Sequence, residues 1–247
     1  MSKMNHVKLA FATTIILFAP LLFQSCTMKG TPIVVLETPK FVPQSQPESP
    51  VETGISEDAS SVGVFLQWNH VDGASGYNIY RADSTGSSGI PFRLVRAVSN
   101  DTSYVDGASI TTGVTYFYRM QAYSSAQDES KFSDTVHITL LEKPGLISPV
   151  SLTVNASGLQ FTWKYMANTS DVLIRIKDVS LGHAGYVWIS KLHNDWYSGS
   201  GISVAFNVDS TATGQLTSGD SYLWRIDQYN LGTDEQTKSV WGTFGVK

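Results

Sequence analysis

Short runs in which apolar or aromatic residues fall at every second position dominate this chain, and each run stops at a turn-forming residue. Val64-Phe65-Leu66-Gln67-Trp68, Tyr77-Asn78-Ile79-Tyr80-Arg81, Tyr116-Phe117-Tyr118-Arg119-Met120 and Val136-His137-Ile138-Thr139-Leu140 all lie between Gly, Ser, Asp or Asn residues. Helical spacing is hard to find. Side chains alternate across a strand, so each run has one face to bury and needs paired neighbours. Repeated at this spacing, such runs describe an antiparallel sandwich or barrel. The second half repeats the theme with Leu159-Gln160-Phe161-Thr162-Trp163, Val172-Leu173-Ile174-Arg175-Ile176, Tyr186-Val187-Trp188-Ile189 and Tyr222-Leu223-Trp224-Arg225-Ile226. Between the halves, Pro144-Gly145 and Ser148-Pro149 follow a strand that ends near Leu141 and mark a boundary. A chain of 247 residues holds two domains of about a hundred residues, each able to bury a core. The expected fold class is therefore all-β, with two tandem antiparallel β-sandwiches.

A different kind of segment precedes them. Lys3 and Lys8 lead into an apolar run from Leu9 to Phe23, broken only by Thr13, Thr14 and Pro20. An uncharged run of this length is short for a bilayer span and suits the core of an export signal. Leu22-Phe23-Gln24-Ser25-Cys26 follows at once, placing small Ser25 before the chain's only cysteine. This stretch resembles the lipobox of bacterial lipoproteins, departing from its commonest form at Phe23 and Gln24. The resemblance implies cleavage of residues 1–25, diacylglycerylation of the Cys26 thiol with acyl chains such as palmitate, and attachment to a membrane. Exported proteins usually spend cysteines in disulfide pairs, and lipidation explains an unpaired one. Each buried methylene contributes about 0.8 kcal/mol, so several acyl chains anchor a protein essentially permanently. In the Gram-negative lipoproteins that this stretch resembles, a residue other than Asp after the cysteine goes with outer-membrane sorting, so for a source with two membranes the resemblance implies that address for a chain with Thr27 there.

From Thr27 to about Gly54 the chain carries Pro32, Pro39, Pro43, Pro47 and Pro50. Prolines at this density favour extended conformations and oppose a central strand, so residues 26–55 read as a lipidated, Pro-rich tether. Pairing of Ile33-Val34-Val35-Leu36 with the first module is the alternative. Residues 56–141 and 142–247 are then the two sandwich modules.

Residues 56–141 resemble a fibronectin type III domain. The resemblance rests on Leu66-Gln67-Trp68, on Val71-Asp72-Gly73-Ala74-Ser75-Gly76-Tyr77-Asn78-Ile79-Tyr80-Arg81, on Thr102-Ser103-Tyr104-Val105-Asp106, and on Gly113-Val114-Thr115-Tyr116-Phe117-Tyr118, with Ser130 and Ser133 near the last strand. It implies that Trp68 crosses the core from the second strand, that Tyr77 follows on the third, and that Tyr116 forms a tyrosine corner. Trp163 and Gly219-Asp220-Ser221-Tyr222 repeat the pattern in the second half, which looks like a diverged, immunoglobulin-like sandwich of the same kind. An insertion lengthens it between the tryptophan and the glycine.

Reactive constellations are nearly absent. The chain shows no Gly-x-Ser-x-Gly elbow, no His-Glu-x-x-His, no phosphate loop and no EF-hand loop. With Cys26 acylated, thiol catalysis and thiolate metal sites are closed. His183, His193 and Asp195 have the donor types for zinc but no compact ligand spacing, and His70 and His137 suit the surface; no metal and no cofactor are expected. Aromatic residues of the insertion make a better candidate: Tyr186, Trp188, Trp196 and Tyr197, bracketed by Gly182, Gly185, Gly199 and Gly201, have the chemistry to stack on sugar rings or partner side chains. Strict alternation puts Tyr186 and Trp188 on one face, which is solvent-facing if Val187 and Ile189 point inward and core if they do not. Asp128-Glu129 and Asp234-Glu235 read as solvated turns.

Composition narrows the partners. Charged residues make only 15% of the chain, and 17 basic against 21 acidic residues give −4. Loss of Lys3 and Lys8 with the leader leaves 15 against 21, or −6. Such a balance excludes the basic footprint of a nucleic-acid binder. The expected function is that of a non-enzymatic, membrane-anchored envelope lipoprotein acting as a scaffold, adhesion or assembly module with a protein or glycan partner. The alternative is a glycan-binding accessory subunit of a polysaccharide-handling system.

Overall fold

The computed structural model describes residues 35–84, 91–164, 169–180, 182, 185–192, 202–230 and 232–247. Cys26, His183, His193, Asp195, Trp196 and Tyr197 lie outside them. Among the described residues there are sixteen strands and no helix, so the fold is all-β.

In the first sandwich, β1 (Ser56–Glu57), β2 (Val64–Gln67) and β5 (Ser103–Asp106) form a three-stranded sheet in the order β1-β2-β5. Opposite it, β4 (Arg93–Ser99), β3 (Gly76–Asp83), β6 (Thr115–Tyr123) and β7 (Val136–Leu140) pair in that order. The inward positions of the alternating runs meet between the sheets, where Val64, Leu66, Trp68, Tyr77, Ile79, Tyr118 and Met120 are buried. Each such residue removed from water contributes about 1.5–3 kcal/mol. Trp68 meets Tyr77 edge-on with ring centroids 5.3 Å apart. Arg81 crosses to the other sheet, 2.6 Å from Asp106, which also accepts from Tyr118 at 3.0 Å. The Tyr116 hydroxyl accepts from the Thr111 backbone N–H at 2.7 Å, the tyrosine corner that the family resemblance implies. Ser130 and Ser133 replace missing ladder acceptors: their hydroxyls receive the N–H groups of Ala122 (2.9 Å) and Met120 (3.0 Å).

The second sandwich repeats the plan. One sheet has the order β13-β10-β8, from β8 (Gly145–Ser148), β10 (Gln160–Lys164) and β13 (Ile202–Ala205). The other places β11 (Asp171–Asp178) between β12 (Gly185–Leu192) and β14 (Ser221–Asn230). The last strand is split into β15 (Glu235–Lys238) and β16 (Gly242–Val246), both on β14, and β9 (Leu152–Val154) runs parallel to β16. Phe161 anchors the core, edge-on to Trp224 at 5.1 Å and to Phe244 at 5.6 Å. A second tyrosine corner joins Tyr222 to the Thr217 N–H at 2.8 Å. Ser239 does here what Ser133 does above, accepting from the Ile226 N–H at 3.1 Å.

The two sandwiches share a sheet. β15 pairs in parallel with β7, with Glu235 opposite Thr139 and Gln236 opposite Leu140, so the order β12-β11-β14-β15-β7-β6-β3-β4 runs unbroken through both. Thr139 N–H donates to Asp234 O (3.1 Å) and Leu141 N–H to Gln236 O (3.0 Å). Asp234 is an exposed turn residue as expected, but it also lies 2.8 Å from His137 of the first sandwich, and Glu235 after it is the first residue of β15 in the shared sheet.

The supposed tether also differs. Leu36 is buried in the first core, Lys40 and Val42 exchange backbone bonds of 2.9 Å with Asn69 and Gln67, and Phe41 bridges Trp68. Residues 36–55 thus belong to the folded body, with backbone pairing at residues 40–42; of Ile33-Val34-Val35-Leu36, the first two lie outside the described residues, Val35 is exposed and Leu36 is buried. The prolines permit this because the segment sits at a sheet edge, where Pro39 and Pro43 flank the paired stretch and their missing N–H groups break no ladder.

Candidate functional site: the cleft beneath the N-terminal strap

Between residues 42 and 54 the chain leaves the first sandwich, crosses the outer face of β11, β14 and β15, and returns. Thr53 closes the loop by donating its hydroxyl to Pro43 O at 2.9 Å. Gly54 completes the return with φ +80°, where an added Cβ would lie 2.7 Å from Val42 O, so only glycine fits. We call residues 43–53 the strap.

Buried charges hold it down. Arg175 projects from the outer face of β11; its Nε donates to Asp227 at 2.8 Å, one terminal nitrogen to Ser49 O at 2.8 Å and the other to Pro47 O. Arg225 grips Asp227 through two bonds of 2.7 and 3.0 Å, reaches Glu52 at 2.6 Å, and lies over the Trp241 ring at 4.6 Å. Lys238 meets the same Glu52 oxygen at 2.6 Å. Burial opposes ionisation of Glu52, but Lys238 and Arg225 outweigh it and pull its pKa to about 2. Next to the strap, Glu57 is fully buried beside Lys143 (2.9 Å) and accepts from the Lys238 backbone N–H. Burial outweighs Lys143 there and pushes the Glu57 carboxyl up.

Between strap and sheet lies a cleft of about 240 Å³. Leu173, Tyr229 and Gln236 face it from the sheet, Gln44, Ser45, Gln46 and Thr53 from the strap, and Asp234 and Glu235 from the β14–β15 turn. Burial, reinforced by the carboxylates of Glu48, Asp171 and Asp227, pushes the Tyr229 phenol up and keeps it an O–H donor.

The expected aromatic platform is rearranged. The register between β11 and β12 shifts: Ile176 faces Trp188 while Lys177 faces Tyr186, leaving Val187 as an extra residue. Such a bulge reverses the alternation, so Tyr186 and Trp188 lie on opposite faces. Trp188 is a core residue, fully buried and edge-on to Phe206 at 5.6 Å. Its indole N–H reaches Asp209 (3.0 Å) and Thr211 (3.1 Å). Burial opposes ionisation of Asp209, yet hydrogen bonds from Ser190, Thr211 and Trp188 hold its carboxyl below the usual range. Tyr186 remains on the outer face, half-buried over Arg175 at 5.7 Å. Trp188 is therefore withdrawn as a ligand residue, and the candidates Trp196 and Tyr197 lie outside the described residues.

Sequence reasoning missed the cleft because it read the strap as spacer. One signal was present: Val172-Leu173-Ile174 is apolar at successive positions, which a half-exposed strand does not need and a strand covered on both faces does.

No family model matches the chain, and no curated protein matches it. Among solved structures it is similar to the FN1-FN3 domains of chicken CNTN1 at 13% identity, with a TM-score of 0.29. The alignment covers 78% of this chain and 65% of that one.

Proposed function

We propose that this protein is a non-enzymatic lipoprotein of the bacterial envelope, anchored by lipid on Cys26, whose sandwiches act as one rigid scaffold for assembly or adhesion. The observation that carries the scaffold reading is the shared sheet: parallel pairing of β7 with β15, reinforced by Lys143 and the strap, leaves the modules no free hinge. Inter-domain motion is the default where contacts are few and polar, and a continuous backbone ladder removes it. The anchor reading is supported by the basic start, the apolar run from Leu9 to Phe23 and the single Cys26.

Two measurements test these readings separately. Metabolic labelling with an alkynyl fatty acid should mark the wild-type chain and send it to the outer-membrane fraction, whereas Cys26→Ser should carry no label. Spin labels at Asp101→Cys and Ser157→Cys, one exposed site in each sandwich, should give a single narrow distance distribution; a broad one would remove the rigid-scaffold reading.

A second reading, that the scaffold also displays a ligand site of its own, is favoured by the cleft beneath the strap. It replaces the aromatic pair of Tyr186 and Trp188, which the bulge separates.

A further inference from the structure

We infer that the strap cleft binds a neutral, hydroxyl-rich ligand, a monosaccharide unit or the end of a glycan chain. The inference rests on the reading of the cleft as a ligand site and names the class of ligand.

Charge is the first argument. Every ionised side chain that lines the cleft already has a partner within the protein. Arg175 is taken by Asp227, Glu52 by Arg225 and Lys238, Asp234 by His137, and Glu235 by Asn230 at 2.6 Å. An anionic ligand would have to draw Arg175 or Lys238 out of a buried pair and leave a carboxylate uncompensated, while a cationic one would meet only Asp234 and Glu235 at the exposed rim, already bonded to His137 and Asn230. A neutral ligand disturbs none of them.

Donor and acceptor types are the second. Gln44 and Gln46 contribute exposed carboxamides, each with two donors and an acceptor, Gln236 contributes an amide whose oxygen already accepts from the Glu57 N–H at 3.4 Å, and Tyr229 contributes a phenol held in its O–H form. Hydroxyl groups both donate and accept, so a ligand rich in them matches this mixture. Shape is the third. The half-buried Tyr229 ring, backed by the fully buried Leu173, supplies apolar surface from the sheet side against which the C–H face of a sugar ring packs, with the strap at the opposite rim. At about 240 Å³ the cleft lies below the roughly 300–1,000 Å³ of drug-sized sites, which limits the occupant to a small unit or a chain terminus.

The test uses the full-length chain in lauryldimethylamine oxide micelles, which carry no sugar. Ligand-observed NMR is run with maltose, cellobiose and N,N′-diacetylchitobiose as neutral probes and with glucuronate and glucosamine as charged ones. At least one neutral probe should show saturation transfer, and Gln46→Ala and Tyr229→Ala should each weaken its Kd about tenfold. Gln46 is exposed, so its replacement leaves the fold intact and stays informative if the Tyr229 variant misfolds. The exposed Leu94→Ala on β4 should leave binding unchanged. Preference for a charged probe, lost in Gln46→Ala, would overturn the neutral-ligand inference while keeping the cleft as a ligand site. Absence of saturation transfer from every probe, or binding that both cleft variants leave intact, would overturn the inference itself.

Discussion

Replacing Arg175 by alanine isolates the contribution of the strap. The side chain makes three bonds, to Asp227 and to the carbonyls of Ser49 and Pro47, and is 2% exposed. Breaking a buried pair by removing one partner costs about 3–5 kcal/mol when the other is left alone. Asp227 is not left alone, because Arg225 holds both of its oxygens. Both strap carbonyls belong to half-buried residues and regain water once the strap lifts. These two reliefs place the loss near the lower end, at about 3 kcal/mol. For a body of this size that corresponds to a fall of about 6–12 °C in Tm. Urea denaturation followed by tryptophan fluorescence measures the loss, and limited proteolysis reports the strap. Cleavage within residues 43–53 should become rapid in Arg175→Ala while the sandwiches stay resistant. A loss under about 1 kcal/mol with the strap still protected would refute the assignment of Arg175 as its clamp.

Three further substitutions test other parts of the structure. Trp188→Ala should destabilise by about 3–5 kcal/mol in chemical denaturation and leave ligand binding at the cleft unchanged, since the indole is core and not platform. Glu52 has a depressed folded pKa of about 2 against an ordinary 4.5, so its contribution is present above pH 4.5 and fades as pH falls towards 2. Glu52→Gln should therefore lose about 3 kcal/mol at pH 7, and its deficit against wild type should close between those values in a pH series of urea midpoints. Glu57 behaves in the opposite sense: its folded pKa is raised above the ordinary 4.5, so stability linked to its protonation is present below that pH and lost as pH rises through the folded pKa. Lys143→Met, which strips its cation, should cost about 3–5 kcal/mol at pH 7 and less in acid, and adding Glu57→Gln should restore most of the loss; a deficit independent of pH would contradict this account.

The strands of each sandwich and the faces they bury were largely legible in the primary structure. Period-two runs such as Tyr116-Phe117-Tyr118-Arg119-Met120 state which face is buried, and the Gly-x-x-Tyr spacing at Gly113 and Gly219 marks both corners, because these are local properties of neighbouring residues. Three other features depended on contacts between distant residues. The bulge at Val187 needs one extra residue in register against β11, and a single slip reverses a face without altering the composition of the run. Docking of the strap needs Arg175 and Arg225, more than a hundred residues away along the chain, to bury their charges against it. The parallel junction of β7 with β15 joins two edges that each sandwich, taken by itself, would leave open. Sequence alone thus determined two sandwiches and their cores. Tertiary structure alone decided that they share one sheet, that the proline-rich segment covers it, and that the space between them is a cleft, because backbone edges and buried ion pairs choose partners by proximity, which local pattern does not encode.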